Sequence, residues 1–201
     1  MKTPTREAAA FGRIWPWCLI FLAPSLAQAH PGVPGHAHGL VNGFLHPLAG
    51  LDHLCAMIAV GVWAAQQGGR MLCLAPATFV SLLALGGALG MGGADISWLE
   101  QGIAASVLVF GLFIAGAVRL PLVVGSGIVG LFGLFHGYAH GVEMPPTASG
   151  AAYAAGFVLA TLGLHGVGIG IGLAAQRFDS ARLVRLAGGA LAATGVYLCF
   201  A

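Results

Sequence analysis

From residue 40 onward the chain is a succession of apolar segments, parted by short loops that hold most of its charge. About 20 apolar residues at a rise of about 1.5 Å each cover the roughly 30 Å hydrocarbon core of a bilayer, where a helix satisfies its own backbone hydrogen bonds. We read six spans, at 40–66, 71–94, 98–118, 120–142, 148–175 and 183–200. Composition agrees: 58% of the residues are hydrophobic and 7% charged, where a soluble domain carries about a quarter charged. The fold class predicted is all-α, a polytopic membrane protein with a six-transmembrane-helix bundle after a cleaved N-terminal signal peptide. No long polar stretch is left for a second domain, and a net charge of +2 spread over loops gives no nucleic-acid face.

The start of the chain reads as an export signal. Lys2, Arg6 and Arg13 form a basic region, Ile14 to Ala23 an apolar core, and Ala27-Gln28-Ala29 a small-residue cleavage site. The division predicted is a signal peptide at 1–29, a His/Gly-rich periplasmic segment at 30–39 and a six-helix transmembrane domain at 40–201. An uncleaved anchor is the alternative, against which Pro16 and Pro24 shorten the apolar run. Arg70, Arg119, Arg177, Arg182 and Arg185 follow odd-numbered spans, whereas Asp95, Glu100 and Glu143 lie at the other ends. Positive residues mark the cytoplasmic side, so the expected location is a bacterial inner membrane with both mature termini periplasmic. Cys18 leaves with the signal, and the scattered Cys55, Cys73 and Cys199 do not suggest a disulfide framework.

Two clusters break the apolar pattern: His46-Pro-Leu-Ala-Gly-Leu-Asp52-His53 in the first span, and Phe135-His136-Gly-Tyr-Ala-His140-Gly-Val-Glu143 in the fourth. Ionisable groups inside a membrane cost several kcal/mol unless paired, hydrated or metal-bound, which makes them functional candidates. At 3.6 residues per turn, His46 and His53 share a helix face, which Asn42 and Met57 extend and Asp52 borders; His136, His140 and Glu143 share another. Both clusters fall in the outer half of the membrane and can converge. Pro47 removes a helix hydrogen bond near Gly43, leaving either a broken helix that lines a cavity or a plain kink. Neutral imidazoles with carboxylates suit borderline divalent ions such as nickel, zinc, copper or iron. The alternatives are histidines that tie helices together and a proton relay.

Four further histidines are weaker candidates for metal: His30, His36 and His38 in the N-terminal segment, and His165, roughly 25 Å along the fifth span. Gly133, Gly137 and Gly141, with Gly86/Gly90 and Gly168/Gly172, read as close helix packing. A likeness between Gly43-Phe-Leu-His46 and Gly133-Leu-Phe-His136 is local, since an inverted repeat would carry the second motif to the opposite side. The chain lacks His-Glu-x-x-His, a Gly-x-Ser-x-Gly elbow and an ATP-binding loop, so no enzyme is expected and any active transport draws on a gradient, the membrane potential or a partner.

At His46-x5-Asp52-His53 and Phe135-His136-Gly-x-Ala-His140-Gly-x-Glu143 the chain resembles the HupE/UreJ family, membrane permeases associated with nickel supply to hydrogenase and urease. Both motifs stand complete, and the likeness extends to the signal, the His30-Pro31-Gly32 start and the six-span plan. The resemblance implies a secondary transporter taking up Ni2+, or Co2+, as substrate without a resident cofactor. His46, Asp52, His53, His136, His140 and Glu143 would handle the metal. The implied partners are the ion, the bilayer and a functional link to nickel enzyme maturation proteins. The alternative is a non-transporting membrane accessory protein or sensor with the same ligands.

Overall fold

The computed structural model describes residues 37–93, 98–144 and 150–200, with the side chains of residues 37 and 38 excepted. The proposed signal, His30, His36, Asp95 and residues 145–149 lie outside these residues. Among the described residues seven helices follow in chain order: α1 (Ala37–Ala49), α2 (Leu51–Gln67), α3 (Met71–Gly90), α4 (Leu99–Gly116), α5 (Leu122–Val142), α6 (Gly150–Arg177) and α7 (Ala181–Phe200). Among the described residues there is no strand. Helices α3 to α7 are each long and apolar enough to cross a bilayer, and their bounds depart from the expected spans by only a few residues.

Of the two outcomes open for the first span, a broken helix and a plain kink, the structure has the break. The span is not one continuous helix: α1 and α2 meet at an angle of 83°, and count as a sixth span only if the bent pair is taken together. The break falls at Gly50 rather than near Gly43, with Gly50 extended (φ −92°, ψ 122°) and its carbonyl accepting the first α2 bond from Leu54. Pro47 stays inside α1 and is buried. Gly50 owes its identity to space rather than to its backbone angles. A Cβ there would lie 2.7 Å from Asp52 Oδ1 and 3.0 Å from His53 Nδ1. Asn42, expected to extend the His46 stripe, is exposed, whereas Met57 is fully buried.

Apolar residues gain nothing by leaving lipid for protein, so the bundle depends on close contact between helix backbones. Glycine supplies it. A Cβ on Gly86, Gly133, Gly137 or Gly141 would run into backbone across the α3/α5 interface; Gly61 and Gly168 close α2 on α6, Gly43 and Gly156 close α1 on α6, and Gly111, Gly188 and Gly195 close α4 on α7. A core of Trp63, Phe79, Phe110, Met57, Val60 and Ile114 fills the space among these pairs. Large apolar side chains such as Leu85, Leu112, Leu131, Leu159, Val167 and Leu186 face outward, as a lipid-covered surface requires. The chain is a multi-pass membrane protein.

Polar groups tie one end of the bundle. Trp63 Nε1 donates to the Val118 carbonyl, Gln66 to Ile114, Gln67 to Leu120, Gln176 to Ala65 and Arg185 to Ala115. The same end carries the arginine-bearing loops after α2, α4 and α6, so the separation of charge read from the sequence corresponds to one face of the structure. Cys55, Cys73 and Cys199 are free thiols.

Candidate metal site

At the opposite end, the break at Gly50 lets α1 and α2 each present a histidine to α5. His46, from α1, lies 4.7 Å from His140 between ring centroids; His53, from the first turn of α2, lies 4.5 Å from His140 and 5.0 Å from His136. His140 is therefore shared by two adjoining groups. In the first, one ligand atom each from His46, His140 and Glu143 lie within 4.8 Å of one another, with His46 Nε2 3.4 Å from Glu143 Oε2. In the second, His53 and His136 stand ring to ring. The continuous-helix geometry expected for His46 and His53 is absent, yet the two residues converge because the chain bends between them.

The hydrogen bonds decide which nitrogens are available. His136 Nδ1 lies 2.9 Å from the Phe132 carbonyl, which can only accept, so Nδ1 carries the proton and buried Nε2 presents its lone pair with no hydrogen-bond partner. The His53 backbone N–H and ring Nδ1 both lie 2.8 Å from Asp52 Oδ1. A carboxylate on Nδ1 fixes that tautomer and frees Nε2, the arrangement that commonly orients metal-binding imidazoles. Both His140 nitrogens lack a hydrogen-bond partner, and Nδ1 lies 4.0 Å from Glu143. The Glu143 carboxyl, just beyond α5, is held below its ordinary range by the His46 side chain against an opposing effect of partial burial.

Exposure falls in order along these groups. Side-chain exposure is 57% for Glu143, 37% for His46, 32% for Asp52 and 12% for His53, and His136 is completely buried. The two carboxylates and His46 thus stand near the open end, and the other imidazoles lie further in. Tyr153 and Phe157 of α6 close the other wall: Phe157 packs 4.0 Å from His140, and Tyr153 6.0 Å from His46. Beside them, His140 borders an apolar pocket of about 130 Å³ lined also by Leu83, Met91, Met144, Tyr153 and Phe157.

The structure brings together His46, Asp52, His53, His136, His140 and Glu143. His165 lies one layer deeper, across Phe79, which packs against both His136 (5.5 Å) and His165 (4.9 Å). His30 and His36 lie outside the described residues, as does the His38 side chain. Sequence reasoning missed Gly50, Phe79, Tyr153 and Phe157. For Tyr153 and Phe157 the available signal was their four-residue spacing with Thr161 and His165 on α6, since such residues share a helix face.

The HupE / UreJ protein family matches residues 18–198. Protein HupE of Rhizobium leguminosarum bv. viciae is 45% identical over 177 residues, which cover 87% of this chain and 91% of the relative. No solved structure matches. A relative this similar along nearly the whole length, together with a family match over residues 18–198, shows that the chain belongs to the HupE/UreJ family.

Proposed function

We propose that the protein is a secondary transporter that takes up Ni2+, or Co2+, across the bacterial inner membrane and supplies hydrogenase or urease maturation. The observation that carries this reading is the graded set of ligands at the helix break: Glu143, His46 and Asp52 at the exposed end, then His53, His140 and His136 of decreasing exposure leading into the bundle. Asp52 and Glu143 offset the charge of one divalent ion, while His46, His53, His136 and His140 offer nitrogen donors suited to a borderline metal. Asp52 acts mainly through His53, and Glu143 as a direct ligand with His46 and His140. The role is that of a carrier rather than an enzyme, with the ion as cargo.

The proposed topology follows from the same features. The signal at 1–29 is removed, the segment 30–39 is periplasmic, and the bent α1–α2 pair is the first of six spans in a transport domain at 40–201. Arginines concentrated at one end support a cytoplasmic position for that end, with the metal cluster near the periplasm. The absence of an ATP-binding loop leaves an ion gradient, the membrane potential or a partner as the source of work.

Accumulation of labelled nickel in proteoliposomes, with cobalt and zinc as competitors, tests the reading. Saturable uptake by the intact chain that is lost in His140→Ala supports it. Tight nickel binding with no flux would instead favour a membrane accessory protein or sensor.

A further inference from the structure

Inward of the cluster, α6 buries a pair of polar groups that the site above does not use. Thr161 and His165 are one turn apart on one face of the helix, fully buried and 1% exposed respectively. Neither ring nitrogen of His165 nor the hydroxyl of Thr161 has a hydrogen-bond partner among the described residues. A buried hydroxyl on a helix ordinarily returns to a carbonyl three or four residues back, as Ser106 does to Ile103 on α4. Thr161 makes no such bond. An unpartnered donor or acceptor at this depth costs about 1–3 kcal/mol, a penalty that leucine or alanine here would avoid.

The placement gives the pair a use. The Phe79 ring packs edge-on to His165 and also lies against His136, whose Nε2 is the innermost free ligand atom of the cluster. The two imidazoles are thus parted by one phenyl ring. Charge differs sharply across it: α3 and α6 contain no carboxylate, and α2 contains none after Asp52. A divalent ion at His165 would meet a nitrogen and a hydroxyl oxygen but no counter-charge, and would be held weakly. Beyond it, the His165 carbonyl lies where a side chain on Gly61 would have to go, and Gly168 abuts the Ile58 carbonyl, so α2 and α6 are closed on the inner side.

We propose that His165 and Thr161 form an inner, low-affinity station for the transported divalent ion, receiving it from His136 past the Phe79 ring before α2 and α6 part. This rests on the transporter reading. A weak site suits that position, because an ion bound there as tightly as at the carboxylate-bearing mouth would not be released.

The test compares nickel binding by the purified full-length chain with initial uptake rates in proteoliposomes. His165→Leu, which keeps an apolar contact with Phe79, is expected to bind nickel at the outer cluster within about twofold of the native chain, while kcat for uptake falls about tenfold or more at little-changed KM. Thr161→Val should fall in the same direction and Thr161→Ser should not. His165→Cys provides a gain of function that a packing role would not: a soft thiolate should raise the cadmium-to-nickel uptake ratio by about tenfold. Native kcat in His165→Leu, or an unchanged cadmium-to-nickel ratio in His165→Cys with the outer cluster still binding nickel, would overturn the inner station. If the native chain itself carries no nickel, the transporter reading fails first, and the two failures are distinguishable. If His165→Leu does not fold, the smaller cysteine variant decides the matter.

Discussion

Replacing Asp52 with asparagine isolates a charge from a shape. The native carboxylate oxygen accepts from both the backbone N–H and the ring Nδ1 of His53, each at 2.8 Å, and the asparagine oxygen can accept both again. An ion on His53 Nε2, with a bond of about 2.1 Å, lies across the ring from this oxygen, on the order of 6–7 Å away. A single negative charge and a divalent ion at that separation attract by about 5 kcal/mol at an effective dielectric of 20, and by about 1.3 kcal/mol in bulk water. Asp52 is 32% exposed, which places the interaction between these limits and toward the lower. Loss of a carboxylate behind a ligating histidine typically weakens metal binding about 10- to 100-fold, roughly 1.4–2.7 kcal/mol, inside the same range. Asp52→Asn should therefore raise the nickel dissociation constant about 10- to 100-fold, and Asp52→Ala further, because His53 then also loses its orientation. Equilibrium binding to purified protein at constant pH and ionic strength is the measurement. An asparagine variant within about twofold of native would refute the assignment of Asp52 as the counter-charge behind His53.

Gly50→Ala places a methyl group against Asp52 Oδ1 and the His53 ring, so uptake should fall about tenfold or more while helix content by circular dichroism stays unchanged; native uptake would show that the break tolerates a side chain. Single cysteines near Glu143 should react with a membrane-impermeant thiol reagent from the periplasm and those near Arg182 should not; the reverse pattern would invert the proposed direction of entry. Metal binding requires neutral imidazole, so nickel binding at fixed, subsaturating free metal should decline on acidification. The sign follows from competition, since protons occupy the same lone pairs as the metal, and binding that strengthens as pH falls in a folded protein would refute histidine ligation.

The legible parts of this fold are those the bilayer dictates. Helices α3 to α7 end near the expected positions because a span needs a minimum apolar length and the loops need their charges. His136, His140 and Glu143 were readable as one face because α5 continues without a break to Val142. The first cluster was readable as chemistry but not as geometry. The apolar run continues across Ala49-Gly50-Leu51, so nothing in its hydropathy marks the 83° turn, and Pro47, the conspicuous residue, is carried within α1. Helix α6 shows the deeper difficulty. In a soluble protein the buried face of a helix is distinguished by its apolar stripe, but in a membrane the lipid face is just as apolar, so the inward line of Tyr153, Phe157, Thr161 and His165 carries no amphipathic signature.

The ligands divide between two packed sets of helices, and this division bears on how an ion is held. Helices α1 and α2 both close on α6 through glycine, and this set carries His46, Asp52, His53 and His165. Helices α3 and α5 close on each other in the same way and carry Phe79, His136, His140 and Glu143. Within each set the backbones touch, so movement there meets steric resistance at once. Between the sets the contacts are side chain to side chain: imidazole to imidazole, phenyl to imidazole, carboxylate to imidazole. A metal with bonds of about 2.1 Å draws tetrahedral ligand atoms to about 3.4 Å from one another. The His46, His140 and Glu143 atoms span up to 4.8 Å, and His46 belongs to the first set while the other two belong to the second. Coordination therefore has to draw side chains together across the seam between the sets, which is also where the inward line from His136 to His165 runs. The glycine contacts make each set stiff, and the polar seam is the place where a small relative displacement changes what an ion can touch.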